Sequence, residues 1–126
     1  MLSIRSLFKK TKYNGIWYVA IEETDSTNRY CLQQLDVTAE PPGTRLTVVS
    51  AEYQLAGRGQ GANTWESERG QNLLFSILCH PTWVPVSGQF ILSEAIALAL
   101  RDVLSTLIDP VTINWPNDIY WNDRKI

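Results

Sequence analysis

The stretch Leu46–Trp65, LTVVSAEYQLAGRGQGANTW, runs from a β-branched segment directly into glycines at positions 57, 59 and 61, with Arg58 between the first two. Leu46 to Tyr53 has the residue types of a strand. The glycine-rich half can neither propagate a helix nor pack well in a sheet, because glycine loses the most backbone freedom on ordering. Two familiar nucleotide loops look like this, and both fail. A Walker loop needs Gly-Lys-Ser/Thr, and no lysine occurs between Lys12 and Lys125. Gly57-x-Gly59-x-x-Ala62 formally satisfies the dinucleotide fingerprint, but that fingerprint must open a helix, and the interval from Ala62 to Gly70 leaves no room for one before the next strand. Two readings remain: a loop whose amides and Arg58 guanidinium receive a phosphate or carboxylate, or a plain surface hairpin with an incidental arginine.

Working outward, Ile16 to Glu22 (IWYVAIE) reads as a strand, and Asp25-Ser26-Thr27-Asn28 is dense in helix N-cap types ahead of a short helix, RYCLQQL. Pro41-Pro42-Gly43 punctuates the chain before the second strand. Asn72 to Cys79 (NLLFSILC) reads as a third strand, apolar enough to be covered on both faces, and Phe90 to Ile108 as a long helix buried against a sheet. Val111 to Trp121 returns to strand. The order β-α-β-β-α-β predicts an α+β fold, a mixed α/β layer in which helices pack on one face of a central mixed sheet.

Composition limits what this fold can serve. With 126 residues, 44% hydrophobic and 19% charged, the chain suits one globular domain that buries roughly two thirds of its unfolded surface. A net charge of −2 argues against nucleic acid as a partner, and the basic cluster Arg5, Lys9, Lys10 and Lys12 reads as a solvated tail. Leu2 to Phe8 has no sustained apolar run, and Ala95 to Leu100 is broken by Glu94, Arg101 and Asp102, so no membrane span is expected. Cys31 and Cys79 stand far apart with a single histidine in the chain, which suggests neither a disulfide framework nor a zinc site and points to the reducing cytoplasm. Cys79 and His80, adjacent on a strand, would point to opposite faces and could not form a nucleophile–base dyad; Cys79 is expected to pack in the core.

At the chain's end, Asn114-Trp115-Pro116-Asn117-Asp118 places a proline where a sheet edge or opening must lie. IYW-ND-RKI has the form of a hairpin turning on Asn122-Asp123. Tyr120 then lies opposite Lys125, and Asp118 becomes the diagonal neighbour of Lys125 on the same face. The pair is either part of a site or an exposed ion pair worth roughly 0–1 kcal/mol.

Together these stretches resemble the catalytic domain of biotin protein ligase, within the biotin/lipoate protein ligase family. The resemblance is carried by Glu23-Thr24-Asp25-Ser26-Thr27-Asn28, then Ala51-Glu52-Tyr53-Gln54-x-Ala56-Gly57-Arg58-Gly59, then Trp65-x-Ser67 with Gly70-x-Asn72-Leu73 and Ser76, and finally Trp115-Pro116-Asn117-Asp118 with Arg124-Lys125. It runs from about residue 16 to the last residue, four blocks in the family's order. It implies a class II aminoacyl-tRNA synthetase-like catalytic fold and a two-step reaction. Biotin and Mg-ATP give biotinyl-5′-adenylate and pyrophosphate; a lysine of a biotin carboxyl carrier protein then attacks the activated acyl carbon.

The resemblance also assigns roles. Ser26, Thr27, Asn28 and Gln54, with Gly57, Arg58, Gly59 and Lys125, would bind biotin, whose ureido ring is costly to bury without partners. Arg58, Gln60, Trp65, Asn117 and Lys125 would bind ATP, Trp65 by stacking on adenine. Lys125, Arg58 and Asp118 would be the catalytic groups, Arg58 neutralising charge as pyrophosphate leaves. No metal-ligand set is implied, but Asp118 is a candidate magnesium contact. The chain departs from the family in Gln60-Gly61-Ala62-Asn63, where many members carry a denser basic run, and in Asn114, where a lysine is frequent.

The resemblance carries three more expectations. The chain is the N-terminal portion of the catalytic domain, incomplete at its C-terminus, with no DNA-binding domain ahead of it and no C-terminal β domain behind. Self-association is expected through an unpaired sheet edge at Ile126. Lys125 and Arg58 are expected to converge on one cavity. The alternatives are a lipoate ligase or lipoyl/octanoyl transferase, and a truncated chain that binds biotin without turning it over.

Overall fold

A computed structural model describes residues 9–35, 46–59, 61–81, 84–115 and 117–126. They fall into two compact units, Met1–Thr82 and Trp83–Ile126.

In the first unit, β1 (Lys9–Tyr13), β2 (Ile16–Thr24), α1 (Thr27–Gln34), β3 (Leu46–Gln54) and β6 (Leu74–Leu78) accompany a short hairpin of β4 (Gly57–Arg58) and β5 (Thr64–Trp65). The sheet order is β1-β2-β3-β6. β2 and β3 run parallel because α1 carries the chain back between them, and the β1–β2 and β3–β6 pairs are antiparallel. The expected mixed sheet is present. Its register puts Val19 opposite Val49 and Ile21 opposite Ala51, so their side chains share one face. Cys31 of α1 closes over that face, and Val19, Ile21, Cys31 and Val49 make the core, Val49 with no exposure at all.

β1 corrects the reading of the basic cluster as a tail. Arg5 lies outside the described residues, but Lys9–Tyr13 is a strand paired to β2, turned by Asn14 and Gly15, both at positive φ. Asn-Gly is the residue pair that a type I′ hairpin turn demands. Lys12 extends over the Trp17 ring, its Nζ 5.5 Å from the centroid, so this lysine is held by an aromatic face.

β6 is shorter than expected and is not covered on both faces. Leu74 is buried, but Leu73 is 89% exposed, and Phe75 and Ile77 are exposed as well. The cause is position: β6 is an edge strand, and its alternate side chains face away from α1. Cys79 follows the end of β6 and is exposed, so the expectation that it packs in the core does not hold.

In the second unit a 3₁₀ turn (Val86–Gly88) leads into α2 (Gln89–Leu104), followed by β7 (Val111–Asn114), β8 (Asp118–Trp121) and β9 (Arg124–Lys125). Val111 to Trp121 is therefore two strands rather than one, with Asn114 pairing Asp118. They form an antiparallel three-stranded sheet, order β7-β8-β9. α2 packs on β7 and β8, and Phe90 at its start meets Trp115 edge to face, centroids 4.8 Å apart. α2 does pack against a sheet, but of its residues only Ala97 is buried; Ile91, Ile96, Leu98 and Val103 are exposed, so it is less buried than expected. The reason is length. A sixteen-residue helix runs ~24 Å, and a four-residue strand covers only ~13 Å of it. No described helix is long and apolar enough to cross a membrane.

Candidate active site

The corner between β2 and α1 builds the floor of a cavity. Ser26 is extended (ψ 150°) and its Oγ accepts from the Arg29 amide at 3.1 Å, which caps α1. Its carbonyl accepts from the Tyr30 amide at 3.0 Å. The chain after β3 continues the parallel ladder past this corner: the Leu55 amide donates to the Thr24 carbonyl at 2.9 Å, and the Ala56 amide to the Asp25 carbonyl at 2.8 Å. Gln54 is thereby set beside the first turn of α1. Its Oε1 accepts from the Thr27 amide at 2.8 Å, satisfying a helix-start donor that no intrahelical carbonyl can reach. Thr27 Oγ1 and Ser76 Oγ of β6 share a 2.7 Å hydrogen bond. One turn, one strand end and one edge strand thus converge on a buried threonine.

Above this floor lies a hollow of about 480 Å³ lined by Ser26, Thr27, Asn28, Arg29, Leu32, Gln54, Arg58, Trp65, Leu73, Leu74, Phe75 and Ser76. Polar groups make the floor; Leu32 and Leu73 form apolar walls. Among the described residues, the charged ones that line it are Arg29 and Arg58, and no carboxylate does. Such a lining suits a ligand that combines hydrogen-bonding groups, an apolar part and an anionic group.

The glycine-rich stretch is a hairpin. Gly57 pairs Trp65 and Arg58 pairs Thr64, and the Gly59 amide donates to the Asn63 carbonyl at 2.8 Å, so that amide is engaged within the hairpin instead of being open to an anion. Gly57 is buried, and a Cβ there would stand 2.5 Å from the Trp65 carbonyl oxygen and 3.1 Å from Gln54 Nε2. Glycine is needed so that β5 can approach closely and set Trp65 on the cavity wall. Trp65 is 44% exposed and lines the hollow, so its ring is not packed in the core.

Of the site residues expected from the sequence, the structure brings Ser26, Thr27, Asn28, Gln54, Arg58 and Trp65 around one hollow, with Gly57 behind it. Gly59 is in the hairpin, and Gln60 lies outside the described residues. Asn117, Asp118 and Lys125 belong to the second unit. There, Tyr120 does pair Lys125, Asn122 takes the positive φ (53°) that the tight turn requires, and Lys125 Nζ is 3.0 Å from Asp118 Oδ1. The Ile126 amide donates to the Ile119 carbonyl at 2.9 Å.

Arg29, Leu32 and Phe75 line the hollow although motif reading does not single them out. A signal exists for the first two: once the helix begins at Thr27, Asn28 and Leu32 are four apart, and Arg29 and Leu32 three, so they share a face. Burial pushes the Cys31 thiol up, only partly offset by a backbone hydrogen bond that lowers it. Burial likewise raises the Tyr30 phenol, with the Cys31 charge adding to it. Both are core properties rather than those of a nucleophile.

Known proteins are similar to this chain in sequence and in fold. The chain is 36% identical over 103 residues to the bifunctional ligase/repressor BirA of Escherichia coli, covering 81% of this chain and 30% of that protein. It is 31% identical over 110 residues to the biotin–[acetyl-CoA-carboxylase] ligase of Mycobacterium tuberculosis, covering 84% and 40%. Among solved structures it is similar to biotin protein ligase from Aquifex aeolicus in complex with biotin and ATP (TM-score 0.70, 25% identity, 90% of this chain and 44% of that one). It is similar also to that from Leishmania major in complex with biotinyl-5-AMP (TM-score 0.67, 28% identity, 91% and 50%). The chain thus spans between about a third and a half of the length of these relatives. Residues 20–126 match the sequence model described as the biotin/lipoate A/B protein ligase family, and on that match the chain belongs to this family.

Proposed function

We propose that the chain is the N-terminal portion of a biotin protein ligase catalytic domain of class II synthetase-like architecture, and that it belongs to a cytoplasmic enzyme. The enzyme would activate biotin with ATP as biotinyl-5′-adenylate and transfer it to a lysine of a biotin carboxyl carrier protein. The observation that carries this reading is the polar floor of Ser26, Thr27, Gln54 and Ser76 beneath apolar walls and Arg58. A ureido ring offers two N–H donors and a carbonyl, and this floor offers hydroxyl and amide partners for each. The dithiolane of lipoate offers neither, and a floor built to hydrogen-bond a ring penalises a ligand that leaves it unpaired. That favours biotin over lipoate.

Each residue then has a task. Ser26, Thr27 and Gln54 hold the ureido ring, with Asn28 at the rim; Gly57 and Gly59 shape the wall that holds Trp65; Trp65 offers its exposed face to adenine. Arg58 takes the carboxylate and then the α-phosphate, drawing charge off the oxygen as pyrophosphate departs. Lys125 is the proposed second cation of the acyl-transfer step, kept in place by Asp118, with Gln60 and Asn117 as further ATP contacts. Magnesium would arrive on the ATP phosphates, where it neutralises charge on the leaving group, and Asp118 is the carboxylate proposed to touch it. Self-association belongs to the same proposal, with β9 as an outer strand of its sheet.

Calorimetry of the chain with biotin and with lipoate tests the reading: biotin should bind and lipoate bind at least about a hundredfold more weakly. Equal binding of the two, or of neither, would discard it. In a protein carrying the remaining domain, pyrophosphate release should require biotin and ATP together, and Arg58→Ala should abolish it.

A further inference from the structure

We infer that Arg29 is a second phosphate-binding cation of this pocket, retaining the acyl-adenylate from the α1 side while Arg58 holds it from the hairpin side. The inference rests on the proposed biotin ligase function and adds a residue to it. Among the described residues, the two charged ones that line the hollow are both arginines and no carboxylate lines it, although Asp25 pairs with Arg29 beside it and the whole chain carries a net charge of −2. Two like charges facing one cavity repel until an anion enters, so their placement favours an anionic occupant over a neutral one. The hairpin sequence carries Arg58 as its only cation between Gly57 and Trp65, and Lys125 belongs to the second unit, so the other positive charge that lines this hollow is that of Arg29.

Arg29 is well placed for this. Its amide is fixed by the Ser26 Oγ cap at 3.1 Å, so its backbone is set by the same corner that forms the pocket floor. Its guanidinium pairs with Asp25 Oδ2 at 3.5 Å, both side chains more than half exposed. An exposed pair of this kind holds weakly. A phosphate entering the hollow offers the guanidinium a bidentate, charge-assisted partner, geometry that arginine matches and a lone carboxylate at 3.5 Å does not. Asp25 then acts as the resting counterion that keeps Arg29 near the mouth until the ligand arrives.

The test compares three probes by calorimetry on the chain: biotin amide, which is neutral; biotin, which is a carboxylate; and a sulfamoyl analogue of biotinyl-adenylate. Arg29→Gln should weaken the adenylate analogue about tenfold, leave the amide unchanged, and flatten the salt dependence of analogue binding. Arg29→Lys should recover part of the loss, and Asp25→Asn should tighten the analogue about two- to threefold by releasing the guanidinium. Unchanged affinity of Arg29→Gln for the analogue would overturn the inference. So would equal losses for analogue and amide, because Arg29 would then be serving the shape of the pocket. If the unmodified chain binds none of the three probes, the ligase reading fails first and the inference with it.

Discussion

Replacing Gln54 in two different ways separates its structural duty from its recognition duty. Its Oε1 accepts from the Thr27 amide at 2.8 Å, its Nε2 lies toward Gly57, and the residue itself lines the hollow. Gln54→Leu removes both. Thr27 is buried, so its amide loses a partner that water cannot replace, a cost of about 1–3 kcal/mol. At roughly 4 °C per kcal/mol for a chain of this size, the melting temperature should fall by roughly 4–12 °C. Gln54→Glu keeps the acceptor and makes it a carboxylate beside the first turn of α1, where a negative charge stabilises by about 0.3–1 kcal/mol. This variant should melt at or above the parent temperature. It should nonetheless lose at least about tenfold in biotin affinity, because the amide donor of a residue lining the hollow has gone and a carboxylate would repel the ureido carbonyl. Circular dichroism melts and biotin calorimetry on both variants make the measurement. A Gln54→Leu variant that melts with the parent, or a Gln54→Glu variant that binds biotin as the parent does, would refute the assignment of both duties to this side chain.

Other predictions rest on single contacts. Gly57→Ala places a methyl 2.5 Å from a backbone oxygen, so the hairpin must shift; we expect a loss of about 1–3 kcal/mol and a change in Trp65 fluorescence, and an unchanged spectrum would contradict the close approach. Val49→Ala, at the centre of the sheet's covered face, should cost about 2 kcal/mol in urea unfolding. At neutral pH a thiol reagent should modify the exposed Cys79 rapidly and the buried Cys31 only on unfolding. Burial holds the folded-state value of Cys31 above its unfolded one, so its contribution to stability is complete below the ordinary thiol value and is lost as pH rises through the folded value; a melt that is insensitive to alkaline pH in the parent yet altered in Cys31→Ser would count against this.

Several elements are legible in the sequence because their causes are local. Ser26 caps α1 through its own oxygen, two residues of turn at Asn122-Asp123 fix the register of Tyr120 against Lys125, and that register alone carries Asp118 to Lys125. The Asn14-Gly15 turn is equally local, but the charge of its neighbours outweighs it in a reading by composition, which makes a tail of β1. The differences at β6, Cys79 and α2 have another origin. An apolar pattern says that a segment can be buried, not whether a neighbouring element is wide enough to bury it.

The sequence by itself determined β2, α1, β3 and the Asn122-Asp123 turn, since capping, turn chemistry and side-chain period act within a few residues of one another. Only the tertiary structure decided that Gln54 meets Thr27 across 27 residues, that Ser76 meets it across 49, and that Arg29 lines the same hollow as Arg58. Those meetings depend on the parallel register of β2 against β3 and on the edge position of β6. Such pairings are set by which strands lie side by side, and no local pattern in the chain encodes that choice.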